Sequence, residues 1–151
     1  MLKRLSVCTC KASLFSKLQM SHSLVVFEGK VVKGFGRGGK HLDCPTANLD
    51  MQVPEALNSG VWAGYASLSG VTYKSVANVG ISPFYTSDEK GVQRIIEVHL
   101  LDYDGEDFYG ATLNVALKIW MRAERADFAS ETELRECIQA DIQKARSLLP
   151  V

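Results

Sequence analysis

Between residues 24 and 121 the hydrophobic positions fall mainly in strand-like runs. Leu24–Lys33 is β-rich, with Val25, Val26, Val31 and Val32. Val61–Leu68 and Val71–Val79 read as two strands joined at Ser69-Gly70, a short hairpin signal. Gln93–Leu101 alternates: Ile96, Val98 and Leu100 face one way, while Ile95, Glu97, His99 and Leu101 face the other. The acidic turn Asp102-Tyr103-Asp104-Gly105 ends that run. Leu113–Met121 alternates again, with Leu113, Val115, Leu117, Ile119 and Met121 predicted on one face. Pro45 and Pro54 mark an irregular stretch between the first run and the hairpin. Only the end of the chain is helical. Ser130-Glu131-Thr132-Glu133 forms a capping box, and Leu134, Ile138, Ile142, Ala145 and Leu149 recur at helical spacing before Pro150. Several strands followed by one amphipathic helix predict a mostly β fold: a small antiparallel barrel with the C-terminal helix packed on it.

Composition narrows the function. The chain has 17 Lys plus Arg and 17 Asp plus Glu, a net charge of zero, which argues against bulk electrostatic capture of nucleic acid. No apolar run reaches the roughly 20 residues of a membrane-spanning helix. Residues 1–27 hold Lys3, Arg4, Lys11 and Lys17, five serines and no acidic residue. Residues 1–23 therefore read as a basic leader, either a mitochondrial presequence or a disordered tail, ahead of a domain over 24–151. The expected location is the cytoplasm, or the mitochondrion if the leader is a presequence. Cys8, Cys10, Cys44 and Cys137 match neither a zinc spacing nor a disulfide framework and read as reduced thiols.

Gly34-Phe35-Gly36-Arg37-Gly38-Gly39-Lys40 is the densest chemical signal. It fits GxGxxG, but that fingerprint needs a helix next, and Pro45 discourages one. It also fits GxxxxGK, but His41 stands where a P-loop places the Mg²⁺-holding Ser or Thr. What both share remains: glycine amides that approach an anion closely, with Arg37 and Lys40 adding positive charge. Pro45-Thr46-Ala47-Asn48 offers a hydroxyl and an amide oxygen two residues apart, which share a face if the segment is extended. Hard oxygens of this kind suit Mg²⁺; ordinary turn chemistry is the alternative.

Together these segments resemble the riboflavin kinase family. The likeness runs through Gly29–Gly38, Pro45-Thr46-Ala47-Asn48, Glu97–Asp102, Asp107-Phe108-Tyr109-Gly110, Leu113-Asn114-Val115 and Arg122, and reaches the terminal helix. It implies a closed, Greek-key-like antiparallel barrel that makes FMN from riboflavin and ATP, with Mg²⁺ or Zn²⁺. By this resemblance Thr46 and Asn48 contact the metal and phosphates, Gly34 and Lys40 lie in a flap over the nucleotide, and Glu97 is the catalytic base. Asp102, Val115 and Arg122 are the further binding positions. Leu113, Val115 and Trp120 are candidates for a flavin slot between barrel and helix, with plain core as the alternative. The segments Gly34–Lys40 and Ala123–Ser130 are candidate closing loops. Asp43 and Cys44 replace a glycine and an aliphatic residue common in the family, and Arg122-Ala123 replaces its Arg-Pro. No adenylyl-transfer domain is expected, hence no FAD synthesis, and nothing demands more than a monomer. A flavin-binding barrel without catalysis is the rival, although a binder has no need of Glu97 beside Thr46 and Asn48.

Overall fold

A computed structural model describes residues 24–34, 44–81 and 93–151. The leader and Lys40 lie outside the described residues. Six strands and one helix follow in order: β1 (Val25–Val32), β2 (Ala47–Asp50), β3 (Gly60–Leu68), β4 (Val71–Ile81), β5 (Arg94–Leu100), β6 (Thr112–Arg122) and α1 (Glu131–Leu148). The strands close into a barrel in the order β1-β2-β5-β4-β3-β6, every described pair antiparallel. Strands β3, β4 and β5 form a meander, and β6 returns beside β3, which is a Greek key. The hairpin between β3 and β4 turns at Ser69 (φ 50°) and Gly70 (φ 84°). Positive φ at both central residues matches the twist of the flanking strands.

The inward faces of the strands make the core. Ile96, Leu113, Leu117 and Val79 are fully buried there, beside Val98 and Val115. Each such side chain contributes roughly 1.5–3 kcal/mol through burial. A second cluster joins the barrel's outside to α1: Val61, Ala63, Leu101, Met121 and Cys44 pack with Ile142, Ala145 and Leu149. The predicted single face of 113–121 is split by a bulge. Ala63 pairs with Ile119 but Gly64 pairs with Leu117, so β6 carries one extra residue there. An extra residue reverses the alternation. Leu113, Val115 and Leu117 therefore point into the barrel, while Ile119 and Met121 pack in the helix cluster.

The helix begins as its sequence predicts. Ser130 Oγ accepts from Glu133 N at 3.1 Å, and Glu133 reaches back to accept from Ala129 N at 2.8 Å, one residue before the cap. Tyr65 Oη donates to Pro150 O at 2.7 Å, and Arg146 grips Asp102 at 2.6 and 2.7 Å, which ties the far end of α1 to the barrel.

Candidate active site

Strand register builds the site. Asn48 of β2 lies opposite Glu97 of β5, and Asn78 of β4 lies opposite Glu97 on the other side. Direct partners on one sheet face carry their Cβ atoms about 4.5–5.5 Å apart. The three side chains thus form one polar row on the outer face of the barrel, because Ile96 and Val98 on either side of Glu97 point inward. β2 falls in the stretch between Pro45 and Pro54 that carries no strand signal in the sequence. Its four residues between two prolines give too short an alternation to register, yet its extended backbone is what puts Asn48 against Glu97.

Glu97 is half-buried, and its carboxyl is pushed above the ordinary 4.5. Burial is the main cause, a hydrogen bond from Asn78 opposes it, and the Glu124 carboxylate adds to it. Cys44 is buried nearby, and its thiol is pushed up to about 11, by burial first and then by the charge of Glu97. The segment bearing Thr46 is held to β5 by His99, whose Nδ1 lies 2.8 Å from Pro45 O. A carbonyl only accepts, so Nδ1 carries the proton. Thr46 is exposed, two residues before Asn48.

Gly34, two residues past the end of β1, lies against the Asn48 side chain. A Cβ there would fall 2.0 Å from Asn48 Nδ2, so only glycine leaves room for that amide. Sequence reasoning missed the opposite flank. Glu124, in the link from β6 to α1, accepts from Asn78 Nδ2 and from the backbone N–H of Ile81, each at 3.4 Å. Its carboxylate rests on Gly80, where a Cβ would lie 2.0 Å from Oε1. The available signal was a glycine inside a strand, which often marks close approach.

The other predicted positions have partners of their own. Both oxygens of Asp102 are engaged by Arg146, and the guanidinium holds this exposed carboxyl below its usual range. Arg122 donates to Asp141 from Nε and from one terminal nitrogen (2.6–3.2 Å), and from the other to Ala123 O at 2.9 Å. Asp141 is the main reason that Arg122 holds its proton more tightly than usual. Leu113 and Val115 are in the barrel interior, not between barrel and helix, for the bulge falls beyond them on β6. Trp120 is 44% exposed and donates to Ser59 O at 3.1 Å.

The sequence model of the Flavokinase family, described as riboflavin kinase, matches residues 22–149. The chain belongs to the riboflavin kinase family. Riboflavin kinase of Mus musculus is 41% identical over 126 residues, covering 80% of this chain and 78% of that protein. Riboflavin kinase of Homo sapiens is 39% identical over 135 residues, covering 86% and 84%. The crystal structure of riboflavin kinase from Trypanosoma brucei shares the fold, with a TM-score of 0.65 at 24% identity, covering 89% of this chain and 82% of that one. The chain is accordingly an enzyme, a kinase that phosphorylates riboflavin to FMN with ATP, in a family that generally uses a divalent metal. Among the described residues no helix is long and apolar enough to cross a membrane.

The residues at the row fit a metal-bound nucleotide. Thr46 and Asn48 offer hard, neutral oxygens, and the seat that Gly34 leaves for the Asn48 amide fixes one of them. No group of three or more His, Cys, Asp or Glu among the described residues forms a metal cage. Such a donor set suits a cation that keeps much of its shell from water and substrate phosphates.

Proposed function

We propose that the outer face of β5 is where the γ-phosphoryl group of ATP passes to the 5′-hydroxyl of riboflavin, with Glu97 as the base. The observation that carries this reading is the register that sets Asn48 and Glu97 side by side. Thr46 and Asn48 would hold the divalent cation, and their hard oxygens favour Mg²⁺ over Zn²⁺. The cation supplies charge neutralisation at the phosphates. Glu97 accepts the hydroxyl proton as the oxygen attacks. Its partial burial raises its basicity above that of a free carboxylate, and a positioned base contributes about 10²–10⁴-fold.

The backbone of Gly34, and Lys40 further along the same loop, would face the phosphates and supply donors to them. Arg122 is the proposed flavin contact, held in one rotamer by Asp141 so that little entropy is lost when an aromatic ring stacks on it. Asp102 serves α1 rather than the substrate in this scheme, and Val115 supports the strand from within. The protein works as a monomer. A basic leader over residues 1–23 adds the choice between cytoplasm and mitochondrion, which the mass of the mature N-terminus decides.

Purified protein incubated with riboflavin, ATP and Mg²⁺ is expected to yield FMN. Glu97→Gln is expected to lower kcat by about 10²–10⁴-fold while riboflavin still binds. Near-normal turnover of that variant would remove Glu97 from the mechanism, and binding without any FMN from the parent chain would favour the non-catalytic barrel.

A further inference from the structure

The polar row does not stop at Glu97. Beyond it stand Asn78, Glu124 and Gly80, three residues that no part of the scheme above uses. Asn78 is the registered cross-strand partner of Glu97, which sets its carboxamide beside that carboxylate. The same side chain donates through Nδ2 to Glu124 Oε1 at 3.4 Å. A carboxamide has two N–H bonds on one nitrogen, so one can go to each carboxylate. Unaided, an amide can rotate by half a turn and present its oxygen to Glu97 instead. An acceptor on the far side opposes that flip.

Glu124 is itself held from two directions. Ile81 N donates to Oε2 at 3.4 Å, and the carboxylate lies against the backbone of Gly80. Gly80 is a buried residue inside β4. Its φ is not in the left-handed region, so the backbone alone does not call for glycine there. Glycine within a strand is unfavourable unless the space is needed, and here any Cβ would collide with the Glu124 carboxylate. The arrangement mirrors the other end of the row, where Gly34 leaves room for the Asn48 amide.

We propose that Asn78 and Glu124 form a positioning pair, seated by Gly80, that fixes the Glu97 carboxylate for proton acceptance from the riboflavin hydroxyl. The pair deepens the reading of Glu97 as base and rests on it. Glu124 acts through Asn78 and does not touch the reacting atoms. It also carries the link between β6 and α1 to the site, since Glu124 spans 46 residues to reach Asn78. Alignment of the base is thereby coupled to the docking of that link.

The test is steady-state kinetics on the full chain with Mg²⁺, ATP and riboflavin. Glu124→Ala is expected to lower kcat by about 10–10²-fold with the KM for ATP little changed, the mark of lost alignment. Glu124→Gln keeps an acceptor for Asn78 and is expected to restore kcat to within about threefold of the parent. Gly80→Ala evicts the carboxylate and should reproduce Glu124→Ala. The double variant should be no worse than the poorer single variant, because both remove one contact.

Thermal melting and quenching of riboflavin fluorescence establish that each variant is folded, and if Gly80→Ala is not, the two Glu124 variants decide alone. A Glu124→Ala kcat within about twofold of the parent overturns the proposal, as does a Glu124→Gln no better than Glu124→Ala, or full additivity in the double variant. Glu97→Gln, assayed alongside, separates the two readings. If it is inactive while Glu124→Ala is normal, only the positioning pair fails. If it is active, the base assignment fails first.

Discussion

The two faces of β5 invite comparison, since the same seven residues serve both. Ile96, Val98 and Leu100 point into the barrel and are at most 5% exposed. Glu97 and His99 point outward, half-buried among Asn48, Asn78 and the Pro45 carbonyl. The inner face gains free energy by leaving water. The outer face holds a carboxylate whose environment favours the neutral form, which opposes folding at neutral pH. A stabilising face and a strained polar face are thus separated by a single step along the chain, and the alternation of the strand keeps them apart.

Substitutions should therefore differ in sign across that step. The largest stability effect is expected from Ile96→Ala, which empties a fully buried position and should cost about 2–5 kcal/mol by urea unfolding. Glu97→Gln, despite its loss of turnover, should unfold no earlier than the parent and gain stability at neutral pH. The sign follows from the raised folded pKa. The contribution of that proton to stability is complete below the unfolded value near 4.5 and disappears as pH rises through the folded value. The gap between Glu97→Gln and parent should accordingly open with rising pH, and a Gln variant that melts lower at pH 7 would contradict the picture.

Away from β5, Ser130→Ala removes the cap of α1 and should cost about 1 kcal/mol, read from the urea midpoint. The smallest effect concerns Asp102. Arg146 holds its folded pKa below 3.8, so its contribution is present above that value and is lost as pH falls through the folded one. Asp102→Asn should narrow the stability difference between pH 6 and pH 3 slightly, and a wider difference would reverse the assigned direction.

Much of this was legible from residue order. Period-two alternation located β5 and β6, and the runs on either side of Ser69-Gly70 located β3, β4 and their hairpin, because a turn and a pleat leave local signals. The helix cap was visible for the same reason. The four-residue β2 was not, nor was the bulge that sends Ile119 and Met121 to the helix side, since both depend on what the neighbouring strand does. Thr46 and Asn48 stood out as paired hard oxygens, Glu97 was singled out through the family likeness, and the adjacency of Asn48 and Glu97 is a matter of register. Asn78 and Glu124 lie 46 residues apart, and nothing in either neighbourhood announces the other. Gly80 was the one local hint, a glycine where a strand would sooner carry a side chain.

Cys44 carries a consequence of its own. With a pKa of about 11, only about one thiol in ten thousand is ionised at pH 7. Peroxide and alkylating agents act on the thiolate, so this sulfur sits beside Glu97 almost inert. Burial first, and the charge of Glu97 second, thus shield this sulfur from oxidants and alkylating reagents.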